Sequence, residues 1–302
     1  MLPIVTRFAP SPTGDLHLGH AYAAWFAFTT AMRAHGRFLV RIEDIDLGRC
    51  RDDFIDRNLQ DLHWLGLRWE EPVLRQSARM AHYQAAALDR LVGLGVTYPC
   101  LCTRKQIRAE IEAANGAAQG GDATRSIYPG LCRQRDRNET AQLIAGGASY
   151  AIRLDAARAL AHTGDLVWRD AVRGNQPVRL SDHGDVVIAR KKMATSYHLA
   201  VVIDDAAQGV TLVTRGEDLF AATHVHRLLY ALLGLEAPQW LHHRLCCDAS
   251  GRRLAKRSQD LSIRTLRDRG LTPAEVLAMA EAAVTRGSEQ PMPAPCPPCT
   301  DA

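Results

Sequence analysis

No apolar run in this 302-residue chain reaches the roughly 18–20 residues needed to span a bilayer, which excludes a helical membrane protein. The N-terminus, Met1-Leu2-Pro3-Ile4-Val5-Thr6-Arg7, lacks the basic start, apolar stretch and small-residue cleavage site of a secretory signal. A cytoplasmic location is expected. No internal repeat is apparent. Excess charge is also scarce: 37 Lys and Arg against 33 Asp and Glu leave only +4, which permits an RNA or phosphorylated partner without demanding one. With 47% hydrophobic and 23% charged residues, disordered, collagen-like and coiled-coil chains are excluded. Eight cysteines in a reducing compartment argue for thiols or a metal site rather than disulfides.

What is present begins with strand, turn, helix, strand. Ile4–Phe8 is β-prone, and Ala9-Pro10-Ser11-Pro12-Thr13-Gly14 is turn chemistry. A helix is predicted from about His20 to His35, stopping at Gly36, followed by a strand over Phe38–Ile42 that runs into Glu43-Asp44-Ile45-Asp46. This βαβ order predicts a parallel sheet whose ligand lies at the carboxyl ends of its strands. Residues 52–114 read as largely helical, with breaks near Gly66, Pro72 and Pro99, and 115–124 as a flexible loop. Residues 150–218 read as mixed strands, notably Leu199–Ile203 before Asp204-Asp205. Thr272-Pro273-Ala274-Glu275 is a capping box that starts a last helix ending near Ala283, and the Pro-rich segment after it reads as an unstructured tail.

Two segments carry the chemistry. Pro10-Ser11-Pro12-Thr13-Gly14-Asp15-Leu16-His17-Leu18-Gly19-His20 puts two imidazoles at a helix start, where unpaired N–H groups and the helix dipole attract phosphate. Two such donors can stabilise a phosphate gaining charge in a transition state; a capped surface helix with incidental histidines is the alternative. Far downstream, Gly251-Arg252-Arg253-Leu254-Ala255-Lys256-Arg257-Ser258 is a cationic loop able to clamp a triphosphate, or else a solvated basic turn.

In this order, the first segment resembles the His-Ile-Gly-His signature of class I aminoacyl-tRNA synthetases. The second resembles their Lys-Met-Ser-Lys-Ser loop, in degenerate form: Arg253 replaces the first lysine, Ala255 the first serine and Arg257 the last serine, while Lys256 keeps the second lysine. Arg7–Gly14, Arg41–Asp46, Tyr197–Asp205 and Thr214-Arg215-Gly216-Glu217-Asp218-Leu219 look like the glutamyl-tRNA synthetase subgroup, and the likeness covers about residues 3 to 275. About 45 residues follow Arg257, less than a helical anticodon-binding region would need, so the chain resembles the truncated glutamyl-queuosine tRNA(Asp) synthetase branch.

The resemblance implies an α/β fold: a Rossmann-type parallel sheet, an inserted zinc-containing subdomain of the acceptor type, and a short helical C-terminal part. The corresponding divisions are 1–98 and 191–258 for the two halves of the core, 99–190 for the insert, 259–285 for the helical part and 286–302 for the tail. It implies an ATP and catalytic site at His17, Gly19, His20 and Lys256. The glutamate site falls at Arg7, Phe8, Ala9, Pro10, Ser11, Glu43, Tyr197 and Arg215, and one structural Zn²⁺ at Cys100, Cys102, Tyr128 and Cys132. Substrate glutamate carries a second carboxylate, so a fixed guanidinium suits its pocket; an internal ion pair is the other use of Arg7 or Arg215. Three thiolates bind zinc well, tyrosine is an uncommon fourth ligand, and three buried free cysteines are the alternative. The expected partners are ATP with Mg²⁺, L-glutamate and queuosine-containing tRNA(Asp), with the chain a monomer. Charging of a tRNA 3′ end and a non-catalytic tRNA-binding role are the rival functions. Cys296 and Cys299 are read as unliganded.

Overall fold

The computed structural model describes residues 3–107, 127–180, 183–191, 195–247 and 262–285. The loop read at 115–124, Lys256 with its cationic segment, and the Pro-rich tail with Cys296 and Cys299 lie outside the described residues.

The opening strands and helix form where local chemistry asks for them. Strand β1 is Val5–Phe8, helix α1 is Leu18–Arg33 and strand β2 is Arg37–Ile42. β1 and β2 pair in parallel from Val5↔Arg37 to Phe8↔Val40, and β2 pairs in parallel with the short strand β3, Leu74–Arg75. Between them lies helix α2, Asp52–Trp64, with Asp52 and Asp53 in its first turn, where the positive end of the helix dipole favours them.

Two later strands extend this layer from a second sheet. β9, Leu212–Gly216, lies beside β1: the Thr211 amide donates to the Val5 carbonyl at 3.1 Å, and the Val5 amide donates to Thr211 Oγ1 at 2.9 Å. β10, Gln239–His243, pairs in parallel with β9. These bonds set a second sheet edge to edge with the first, so the strands run β3-β2-β1 and then β9-β10, the doubly wound pattern in which strand order reverses next to β1. Beyond β10 come β6, Val167–Asp170, and antiparallel to it β7, Gly174–Pro177. A separate antiparallel sheet has the order β4-β5-β8, with β4 Thr97–Cys100, β5 Ala151–Leu154 and β8 Val187–Arg190. Between 52 and 107 the chain is helical over Asp52–Trp64 and in consecutive helical turns from Gln76 to Gly93, with β3 and β4 falling beside the predicted breaks at Pro72 and Pro99.

One reading is overturned. Leu199–Ile203 is not a strand: it lies inside helix α5, Tyr197–Ala207, which comes after α3, Arg137–Ala145, and α4, Ala156–Thr163. The physical reason is burial on all sides. Leu199 through Asp205 are all buried, so the helix shows no polar stripe, and a continuous apolar run looks the same for a buried strand or a buried helix. Helix α6, Ala222–Leu232, packs against it in the main core.

After α7, Ile263–Asp268, helix α8 spans Pro273–Thr285. The capping box predicted before α8 is present: the Thr272 amide donates to Glu275 Oε2 at 2.8 Å and the Glu275 amide to Thr272 Oγ1 at 3.3 Å. Val276, Ala280, Ala283 and Val284 of α8 are buried against the alanine-rich face of α1 (Ala21, Ala24, Ala27, Ala31), a second core that fixes where the N-terminus of α1 points. Small residues on α1 let the two helices approach closely. Among the described residues, no helix is long and apolar enough to cross a membrane.

Candidate active site and metal centre

A cleft of about 710 Å³ opens at the carboxyl ends of β1, β2, β9 and β10, where the strand order reverses. Its lining includes Arg7, Phe8, Ala9, His17, Gly19, His20, Glu43, Tyr197 and Arg215. Pro10 and Ser11 are not in this lining. Pro10 is buried and its carbonyl accepts from the Glu43 amide at 3.0 Å, whereas Ser11 is exposed. The cleft therefore gathers residues from both ends of the chain, which the spacing of the motifs alone does not bring together.

At one wall stands the α1 N-terminus. His17 is the N-cap: its Nδ1 accepts from the Gly19 amide at 3.1 Å, while the His17 amide donates to His20 Nδ1 at 3.2 Å. The two rings stack with centroids 3.9 Å apart. Gly19 suits this geometry, because a Cβ there would lie 3.0 Å from His17 Cε1 and 3.2 Å from Nδ1 and would press the ring aside. The result is a reciprocal cap that leaves two imidazoles and the positive end of a 16-residue helix facing the cleft.

The floor is a buried charge network. Arg7 donates to Asp205 through Nε at 3.0 Å and Nη2 at 3.3 Å, and to the Thr214 carbonyl through Nη1 at 3.2 Å. Arg41, wholly buried, donates to Asp205 at 2.7 Å, to Gln208 at 3.0 Å and to Glu43 at 3.2 Å. Burial alone would raise the Asp205 pKa; Arg7 and Arg41 outweigh it and hold this carboxyl below its usual range. Burial wins at Glu43, whose pKa is raised despite Arg41 and Arg7. It also raises the Tyr197 phenol, which therefore keeps its proton as a donor.

Arg215 differs from Arg7. Its Nε donates to His242 Nε2 at 3.2 Å, Nη1 to His226 Nδ1 at 3.1 Å and Nη2 to Thr223 Oγ1 at 2.5 Å. Among the described residues no carboxylate lies within ion-pairing distance of it. Its side chain is buried and its pKa is lowered, chiefly by burial, yet a guanidinium stays charged. So the ion-pair alternative holds for Arg7 and not for Arg215. Arg41, Asp205, Thr223, His226 and His242 were not singled out from the sequence. Arg41 had a visible signal, since it sits two residues before Glu43 on the same face of a strand. Asp205 had one too, as an acid ending a fully apolar run.

A second cluster sits at the end of β4. The sulfurs of Cys100, Cys102 and Cys132 all lie within 4.8 Å of one another, with Cys102 and Cys132 at 3.4 Å. Tyr128 Oη is 3.3 Å from Cys100 Sγ and 3.6 Å from Cys102 Sγ, and it accepts from the Cys132 amide at 3.0 Å. Burial and the neighbouring sulfurs push the Cys102 thiol up to about 12, whereas at Cys100 desolvation is outweighed by the hydrogen bonds with Tyr128 and Arg153, which lower the thiol pKa. Ligands on a tetrahedral zinc at Zn–S of about 2.3 Å stand roughly 3.8 Å apart, close to these spacings. This donor set fits a metal ion.

With this geometry in hand, residues 3–289 match the family "tRNA synthetases class I (E and Q), catalytic domain". The chain is 47% identical over 278 residues to the glutamyl-Q tRNA(Asp) synthetase of Rhodobacter capsulatus, covering 90% of this chain and 98% of that protein. It is 40% identical to the protein of the same name from Deinococcus radiodurans, of which it covers 88%, and 36% identical to the glutamate–tRNA ligase of Hydrogenobaculum sp., of which it covers 55%. The solved glutamate-tRNA synthetase of Elizabethkingia anophelis superposes with a TM-score of 0.72 at 29% identity, over 85% of this chain and 53% of that one. The chain has the class I catalytic fold and belongs to the glutamyl-Q tRNA(Asp) synthetases, ligases of the class I tRNA synthetase family.

Proposed function

We propose that this protein activates L-glutamate with ATP, without tRNA, and transfers it to the cyclopentenediol of queuosine in the anticodon of tRNA(Asp). One observation carries the substrate reading: Arg215 is a buried cation in the cleft, bonded among the described residues to neutral groups. Such a cation is matched by the side-chain carboxylate of glutamate, through a two-bond grip. Glu43 accepts from the substrate ammonium and Tyr197 adds a phenolic hydrogen bond. Arg7, oriented by Asp205, and Phe8 and Ala9 of the cleft lining complete the amino-acid site, with Pro10 and Ser11 continuing the segment outside that lining.

The glutamate α-carboxylate attacks the α-phosphorus of ATP in line; its oxygen forms the new P–O bond as the bond to pyrophosphate breaks. His17, His20 and the α1 N-terminus stabilise the phosphate oxygens, Gly19 leaves them room, and Lys256 takes the leaving group. Mg²⁺ carried in with ATP would lower the negative charge that His17, His20 and Lys256 have to offset. A queuosine hydroxyl then attacks the glutamyl carbonyl and AMP leaves. The names of the relatives support this acceptor, and queuosine's ring diol resembles the ribose diol of a terminal adenosine. An anticodon loop, like an acceptor end, presents unpaired bases.

Cys100, Cys102, Cys132 and Tyr128 hold one structural Zn²⁺ that ties β4 to residues 128–132. The core is built from 1–98 and 191–258, the insert from 99–190 and the C-terminal part from 259–285. A cytoplasmic monomer completes this reading.

The test supplies labelled glutamate and ATP with tRNA(Asp) carrying or lacking queuosine, its 3′-terminal nucleotides intact or trimmed. Label is expected on both queuosine-containing forms. Equal labelling without queuosine, or loss of label on trimming, overturns the proposed acceptor.

A further inference from the structure

Behind Arg215 runs a chain of buried groups that the activation chemistry leaves unused. His242 is the strand partner of Arg215, one strand over on β10, and its ring lies between two groups of opposite demand. On one side the Asp170 carboxylate is 2.7 Å from Nδ1; on the other, Arg215 Nε donates to Nε2 at 3.2 Å. A guanidinium has no acceptor and a carboxylate no proton to give, so only one tautomer satisfies both: Nδ1 carries the proton and Nε2 offers the lone pair. His226 is constrained likewise. Its Nδ1 must accept from Arg215 Nη1 at 3.1 Å, so its Nε2 carries the proton and donates to His198 Nδ1 at 3.1 Å.

We propose that Asp170, His242 and His226 are positioning residues that aim Arg215 at the substrate's side-chain carboxylate while leaving its charge uncompensated. The inference rests on the activity proposed above. Three acceptors engage three of the five guanidinium N–H groups, which leaves one on each terminal nitrogen for a bound carboxylate. Burial keeps the imidazoles neutral, His242 at about 4, and so they orient without adding or cancelling charge. The carboxylate of this relay, Asp170, is held one ring away from Arg215 and accepts from the Val172 and Arg173 amides at 2.9 and 2.8 Å, while Asp205 is engaged by Arg7 and Arg41. A carboxylate paired directly, as Asp205 is with Arg7, would compete with glutamate. The neutral relay leaves a cation that favours glutamate over the uncharged amide of glutamine.

Asp170→Asn tests this without changing shape. The amide oxygen can keep the two backbone N–H bonds, which turns the NH₂ toward His242 and drives its proton to Nε2, facing Arg215. In glutamate-dependent ATP–pyrophosphate exchange, KM for glutamate should rise roughly 10- to 100-fold, the scale of a lost hydrogen bond to a charged group. KM for ATP should stay within about twofold, and the preference for glutamate over glutamine should fall. His226→Asn, whose amide oxygen can still accept from Arg215, should retain most glutamate affinity, whereas His226→Phe should lose it. Unchanged glutamate KM in D170N, equal rises in both KM values, or H226N and H226F behaving alike overturns the relay. Wild-type protein without glutamate-dependent exchange would instead overturn the activity itself.

Discussion

Replacing Asp205 with Asn separates charge from shape at the floor of the cleft. Asp205 accepts two bonds from Arg7 and one from Arg41, with its own side chain 4% exposed and Arg41 fully buried. The amide keeps the volume but removes the charge that compensates two guanidinium groups. Breaking a buried pair by removing one partner costs about 3–5 kcal/mol, and Glu43 remains beside Arg41 at 3.2 Å, so the lower end applies. At about 2–4 °C per kcal/mol for a large domain, D205N should melt about 6–12 °C below the parent at pH 7.5. The pH dependence carries the sign. The folded-state pKa of Asp205 is depressed, so its contribution is present above the unfolded carboxylate pKa and is lost as pH falls through the folded value. The gap between parent and variant should therefore close as melts are taken below pH 4. A melting temperature within 2 °C of the parent at pH 7.5, or a gap that stays constant down to pH 3, would refute the charge argument.

Asp61 should behave in the opposite sense: burial raises its pKa to about 6, so its ionisation weakens the fold as pH rises through that value, and Asp61→Asn should stabilise by roughly 1 kcal/mol at pH 8 and little at pH 4. Equal effects at both pH values in urea unfolding would count against this. His20→Ala should slow ATP–pyrophosphate exchange about 100-fold, on the scale of one lost transition-state donor, and an unchanged rate removes His20 from the mechanism. Elemental analysis of protein purified without chelator should find one zinc per chain, lost in Cys132→Ser and on acidification as thiolates protonate; metal-free parent protein would remove the zinc assignment. Gly19→Ala should raise KM for ATP severalfold with little loss of folding, since the new methyl meets the His17 ring at 3.0 Å, and an unaltered KM would show that the ring is not held where ATP binds.

Much of the first fifty residues was legible because each element there is specified locally. Turn residues from Ala9 to Gly14 end β1, and the His17 and His20 spacing closes a cap within one helical turn. Thr272 and Glu275 likewise close theirs over three residues. The motif residues Arg7, Glu43, Tyr197 and Arg215 could be named, but their different electrostatic roles could not. Arg7 meets Asp205 across 198 positions, and Arg215 meets His242 across 27, through strands whose adjacency is a property of the sheet. Leu199–Ile203 was ambiguous for the same reason, since only packing on every side distinguishes a buried helix from a buried strand. Local spacing encodes caps, turns and the order of elements. Which arginine is neutralised and which keeps its charge for substrate depends on desolvation and on partners brought together by folding, and those exist only in three dimensions.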